Sequence, residues 1–150
     1  MLVQGGGSMY FKDATMDDFE VAFSYIEQLW DYNTYDKETI RQVYQRVLNS
    51  PDSFAFFLMD DEEYKGFCHG DYFDTFWMSG QTAYVSSIIS NADQRRCGLG
   101  TMLMDHAREL ARERGCRALI LDSGFPRDFA HSFYENYGFE KSCYGFELQI

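Results

Sequence analysis

Arg95, Gly98 and Gly100 stand where a run rich in Tyr, Val, Ser and Ile, Thr82 to Ser90, gives way to an amphipathic stretch beginning at Leu99. A strand that turns through glycine into a helix amino terminus suits an anion. Unsatisfied backbone N–H groups converge there, and the helix dipole adds roughly half a positive charge. Glycine at 98 and 100 lets the backbone approach a phosphate closely. Gly-x-Gly alone marks a turn more often than a ligand, so its surroundings must decide. A Walker loop needs Lys before the Ser or Thr, whereas Thr101 follows Gly100 directly; a dinucleotide fingerprint needs a third glycine where Leu103 stands. Charge singles out the same stretch: from Gln94 to Arg117 six arginines meet three carboxylates, leaving +3 in a chain of net charge −11, so everything else carries −14.

The elements around this loop follow from periodicity. Tyr10 to Asp13 reads as an opening strand. Thr15 with Asp18 resembles a capping box before a helical stripe of Phe19, Ala22, Phe23, Ile26 and Trp30. Asp36 or Thr34 can cap a second helix bearing Ile40, Val43, Tyr44, Val47 and Leu48, ended by Asn49, Ser50 and Pro51. Phe54 to Met59 and Tyr64 to Tyr72 form a hairpin across an acidic turn, and Thr82 to Ser90 is the strand before the glycine loop. The helix from Leu99 stops at Gly115. Ala118 to Asp122 (ALILD) reads as a strand buried on both faces, Asp128 to Tyr137 as the last helix, and Phe139 to Ile150 as closing strand material. This order predicts a single α/β (α+β) domain, one mixed sheet with helices on both faces. Tyr72, Phe73, Phe76 and Trp77 cluster between two strands as core, dimer contact or pocket wall, in that order of preference.

Composition removes several function classes. With 13 Lys plus Arg against 24 Asp plus Glu, no general nucleic-acid or anionic-membrane surface is expected. A chain 45% apolar and 18% aromatic has the material for a core, which excludes disorder. Cys68, Cys97, Cys116 and Cys143 fit neither a zinc spacing nor a secreted framework, and His69, His106 and His131 share no metal spacing, so free thiols, no metal and a cytoplasmic location are expected. Residues 1–8, MLVQGGGS, read as a flexible leader or cloning remnant, leaving 9–150 as the domain.

Arg95, two residues, Gly98, one residue, Gly100 resembles the pyrophosphate-binding signature of the GNAT-type N-acetyltransferases. A second segment is similar to the same family: Asp122, Ser123 and Gly124, then Arg127, Ala130, His131, Phe133, Tyr134, Glu135, Gly138 and Phe139, matching its penultimate strand end, the next helix and the Phe-Tyr-Glu-x-x-Gly-Phe ending. The resemblance is specific from Thr82 to Phe139 and rests on element order elsewhere. It implies the GNAT fold, a mixed, mostly antiparallel sheet splayed at the centre with acetyl-CoA in the cleft. It also implies acetyl transfer to a primary amine of a small molecule or protein, by direct attack through a tetrahedral intermediate.

Residue by residue, the resemblance implies that Arg95, Arg96, Cys97, Gly98, Leu99, Gly100 and Thr101 hold the CoA pyrophosphate, while Ile88, Ile89 and Ser90 pair with the pantetheine arm. An amide at Ile88 or Ile89 faces the thioester oxygen. Tyr134 protonates the leaving thiolate, an exchange between groups of ordinary pKa about 10 and about 8.5. Asp122 is the first candidate for receiving the amine proton, ahead of a water held by Ser86 or Ser87, and of His131. Trp30, Tyr32 and Tyr35 fall in the family's acceptor region, and the acidity outside the basic segment favours a cationic amine. Ser90 replaces a more usual Val, Ala92 a frequent Pro, and Arg127 a frequent cofactor-contacting Asn. An acyl-CoA-binding or regulatory module on the same fold is the alternative, a nucleotide binder a third reading, and a homodimer is one option for assembly.

Overall fold

The computed structural model describes residues 8–92 and 98–150. The chain forms two compact units, Met1–Ile120 and Leu121–Ile150. The first unit holds nearly all of one five-stranded sheet in the order β1-β2-β3-β4-β5, with β1 Met9–Asp13, β2 Ser53–Asp60, β3 Glu63–Thr75, β4 Gly80–Ser90 and β5 Ala118–Leu121. β1 to β4 pair antiparallel. β5 joins β4 after a helical crossover, which makes the open sheet mixed.

β2 explains the layering. Its run SFAFFLMD is apolar without alternation because both faces are covered. On one face Phe57, Met59, Phe67 and Ile89 pack with Phe19, Ala22, Phe23 and Tyr25 of α1 (Phe19–Leu29) and Tyr44 of α2 (Lys37–Asn49). On the other lies α3 (Leu99–Arg114), whose His106 stacks on Phe11 at 4.0 Å and meets the Phe56 ring edge-on. A Cβ on Gly66 of β3 would lie 2.8 Å from Leu103 Cδ1, so the missing side chain is what lets α3 settle onto the sheet.

Local chemistry sets the helix ends. Thr15 and Asp18 form the expected capping box, here around a single 3-10 turn (Met16–Asp18) that leads into α1. The Asp36 carboxylate accepts from the Thr39 amide at 2.9 Å and starts α2. Gly115, at φ 87°, ends α3. Asp18 is buried and accepts from Lys12, from the Tyr64 hydroxyl and from the Thr15 amide, joining β1, β3 and the entry to α1. Its desolvation favours the neutral acid, but those hydrogen bonds and the Lys12 charge outweigh it and hold the carboxyl below its ordinary value. Reciprocally, the hydrogen bond to Asp18 and burial push the Tyr64 hydroxyl up to about 12.

The aromatic cluster splits. Tyr72 is buried in β3 under the Arg114 guanidinium, 4.3 Å from its ring centroid, whereas Phe76 and Trp77 are exposed in the turn before β4. Ser8 belongs to the described chain, its carbonyl accepting from the Asp61 amide, while the rest of the expected leader, residues 1–7, lies outside the described residues.

The second unit contains α4 (Asp128–Tyr137), ended at Gly138, and the segment that follows. Here one expectation is corrected: residues 139–150 form no strand, and Tyr144, Phe146, Leu148 and Ile150 are exposed. Their alternation has the period of a strand, but side-chain period alone does not create a ladder.

Candidate active site

In the first unit the strand end and helix start expected to hold an anion flank residues 93–97. Ile88, Ile89 and Ser90 close β4 opposite Cys68, Phe67 and Gly66 of β3. Ile89 is buried in the α1 and α2 layer. The register between β3 and β4 shifts at His69 and Gly70, which pair with Ser87 and Val85, so Ser86 is the extra residue of a bulge. A bulge leaves ladder groups unpaired and re-aims the strand, and this one lies two residues before Ile88.

Asn91, which the sequence reading passed over, fixes the strand exit. Its amide donates to the Lys65 carbonyl at 3.0 Å, its Nδ2 to the Tyr64 carbonyl at 2.9 Å, and its Oδ1 accepts from the Tyr25 hydroxyl at 2.5 Å. Asn91 therefore ties the end of β4 to β3 and to α1. The only sequence signal is a polar residue directly after a strand, which is too common to be diagnostic.

Where the described chain resumes, Gly98 is the N-cap of α3 at φ 81° and ψ 7°, a left-handed conformation that favours glycine. A Cβ there would meet no described atom within 4 Å, so conformation, rather than crowding by the chain, requires glycine. The first intrahelical bond runs from the Met102 amide to the Gly98 carbonyl at 3.1 Å, and the preceding amides of Leu99, Gly100 and Thr101 are the helix's amino-terminal donors. Leu99 is buried and Thr101 exposed, so the turn is anchored on one side and open on the other. Arg95, Arg96 and Cys97 lie outside the described residues.

Trp30 caps the end of α1, Tyr32 is exposed, and Tyr35 packs against the α1 and α2 core. All three occupy the connection between those helices.

In the second unit, Asp122 directly follows β5, with the Gly145 backbone so close that a Cβ there would lie 3.9 Å from its carboxylate. Tyr134 is 8% exposed on α4, its ring edge-on to Phe133 and Phe139, and its carbonyl accepts from the Gly138 and Phe139 amides. The helix ending that carries the motif thus packs around its own tyrosine. His131 contacts the Gly124 carbonyl through Nε2 at 2.9 Å, a local tie across the turn.

The sequence profile of the Acetyltransferase (GNAT) family matches residues 13–139. The chain belongs to the GNAT family. This GNAT domain is 33% identical over 72 residues to "Uncharacterized N-acetyltransferase YhdJ" of Bacillus subtilis (strain 168), a match covering 47% of this chain and 51% of that protein, so it spans about half of the relative's length. Solved structures share the fold. A transcriptional regulator from Bacillus halodurans C-125 superposes with a TM-score of 0.86 at 21% identity, covering 95% of this chain and 100% of the other. The aminoglycoside N-acetyltransferase AAC(6')-Iy, in complex with CoA, superposes at 0.84 and 17% identity, covering 99% of each chain. Among the described residues of the GNAT domain, no helix is long and apolar enough to cross a membrane.

Proposed function

We propose that this GNAT domain transfers an acetyl group from acetyl-CoA to a primary amine. The observation that carries the proposal is the turn at Gly98. Its left-handed backbone opens α3 with amide donors, and the bulged strand that precedes it in the chain is secured by Asn91. Those residues suit a diphosphate: Gly98, Leu99, Gly100 and Thr101 supply backbone donors and the positive end of a helix dipole, and Arg95 and Arg96 supply charge. Acetyl-CoA supplies the activated acyl group as a thioester.

The chain's own residues do the rest. Ile88, Ile89 and Ser90 offer main-chain groups to the pantetheine amides, and an amide at Ile88 or Ile89 donates to the thioester oxygen as negative charge develops. Tyr134 donates its hydroxyl proton to the departing thiolate sulfur. Asp122 takes a proton from the acceptor ammonium, directly or through water, because an amine with pKa near 10.4 is almost wholly protonated at pH 7. Trp30, Tyr32 and Tyr35 line the acceptor side, and the excess of carboxylates favours a cationic small-molecule amine. AAC(6')-Iy, an aminoglycoside acetyltransferase by name, is consistent with that class.

Thermal shift tests the cofactor half of the proposal. CoA and acetyl-CoA are expected to raise the melting temperature in proportion to ln(1 + [L]/Kd), while ATP and NAD leave it unchanged. A shift with ATP or NAD and none with CoA would replace this reading with a nucleotide-binding one.

A further inference from the structure

We propose that His69, steadied by Asp71, receives the proton that the acceptor nitrogen gives up once its bond to the acetyl carbon has formed. The inference rests on the acetyl-transfer reading and supplies a step that this reading leaves open. An alkylammonium loses two protons on its way to an amide, one before it attacks and one after. Asp122 takes the first. The nitrogen pair forms the C–N bond, the C–S pair leaves with sulfur, and Tyr134 protonates the thiolate; the second proton passes through a water at Ser87 to His69 Nε2. Tyr134 recovers one of the two stored protons and solvent takes the other, which balances the transfer.

Register puts His69 beside the part of β4 that the reaction uses. β3 runs in unbroken register with β2 from Phe67 to Asp71, so Phe67, His69 and Asp71 share a face. Phe67 belongs to the α1 and α2 layer, and so do Ala55, the β2 partner of His69, and Tyr35 of the acceptor-side connection. On β4, Ile89 lies in the same layer, and buried Ser87, two residues earlier, is the partner of His69 at the bulge. Directly opposed side chains on one face stand about 5 Å apart at Cβ, a gap that one water can bridge.

Bonding singles out the same ring. His106 is stacked on Phe11 and His131 contacts the Gly124 carbonyl, whereas Nε2 of His69 is buried with no hydrogen-bond partner. It lies 3.8 Å from Asp71 Oδ1, too far for a hydrogen bond, and the Ser53 hydroxyl donates to that same oxygen at 2.6 Å. The adjacent imidazole, helped by the Ser53 hydroxyl, holds the Asp71 carboxyl below its ordinary value although burial pushes the other way. A proton arriving on Nε2 therefore meets an anion already oriented by Ser53, and the charge that the ring gains is compensated where it forms.

Thiol release from acetyl-CoA tests this with the fastest primary alkylamine acceptor and its β-mono-, di- and trifluorinated analogues, which keep the shape and lower the basicity stepwise. In H69A, kcat for the parent amine is expected to fall about 10²-fold with KM for acetyl-CoA unchanged, and the loss to shrink below about threefold for the trifluoro analogue, whose adduct gives its proton to water unaided. D71N should show the same trend at smaller amplitude. A loss equal across the series would mark His69 as a packing residue and overturn the proposal, as would an unchanged kcat for the parent amine; D71N without the trend would overturn the pairing. No amine-dependent release by the unsubstituted protein would instead remove the acetyl-transfer reading itself, and this step with it.

Discussion

Tyr134 concentrates the chemistry of the proposal in one oxygen. Replacing it with Phe keeps the ring contacts with Phe133 and Phe139 and removes the proton. In steady-state kinetics, kcat of Y134F is expected to fall about 10²-fold with KM for acetyl-CoA nearly unchanged. An unchanged kcat would remove the acid role.

Asp18 is the structural counterpart at the same scale. Its carboxyl is held below the ordinary value near 3.8, so its contribution to stability is full above that value and is lost as pH falls through the lower folded one. Tyr64 is raised from 10.0 to about 12, so its contribution is full below 10 and is lost as pH rises toward 12. Denaturant titrations across pH should therefore show D18N less stable by about 2–4 kcal/mol near neutrality, with the difference narrowing at the acid flank and again at the alkaline one.

At the scale of elements, β4 and α3 have to be held in place before any backbone donor is useful. G98A forces a side chain into a left-handed turn, at a cost of about 1 kcal/mol, and so disturbs the backbone that presents the amide donors. Calorimetry is expected to show acetyl-CoA affinity about tenfold weaker. N91A, which cuts the tie to Tyr25 and Tyr64, should raise KM for acetyl-CoA more than it lowers kcat.

These elements were unequally legible in the sequence. The Thr15 and Asp18 box, the Asp36 cap and the Gly115 stop are local devices within four residues, so pattern alone located them. The Gly98 turn was legible for the same reason. The Ser86 bulge and the Asn91 clamp depend on how β4 registers against β3, which no single segment encodes. The closing segment shows the converse: its alternation is plain, but a pattern specifies a face and not the neighbour that covers it.

At the scale of the molecule, a net charge of −11 divides into +3 on the segment from Gln94 to Arg117 and −14 on the rest of the sequence. If that acidity steers a cationic acceptor, as proposed, the attraction weakens with screening, since the Debye length falls from about 30 Å at 0.01 M salt to about 10 Å at 0.1 M. Across that range kcat/KM for a polycationic amine should drop several-fold, while that for an arylamine, uncharged at neutral pH, should stay flat. Equal salt dependence for both would show that the acidity serves solubility alone.

The central claim, acetyl transfer from acetyl-CoA to an amine, is tested most directly by thiol release from acetyl-CoA in the presence of a panel of primary amines. The account predicts release that requires protein and amine together, is strongest with cationic amines, and yields one acetylated amine per thiol. Acetyl-CoA binding with no amine-dependent release across the panel would contradict it and leave an acyl-CoA-binding module on the same fold.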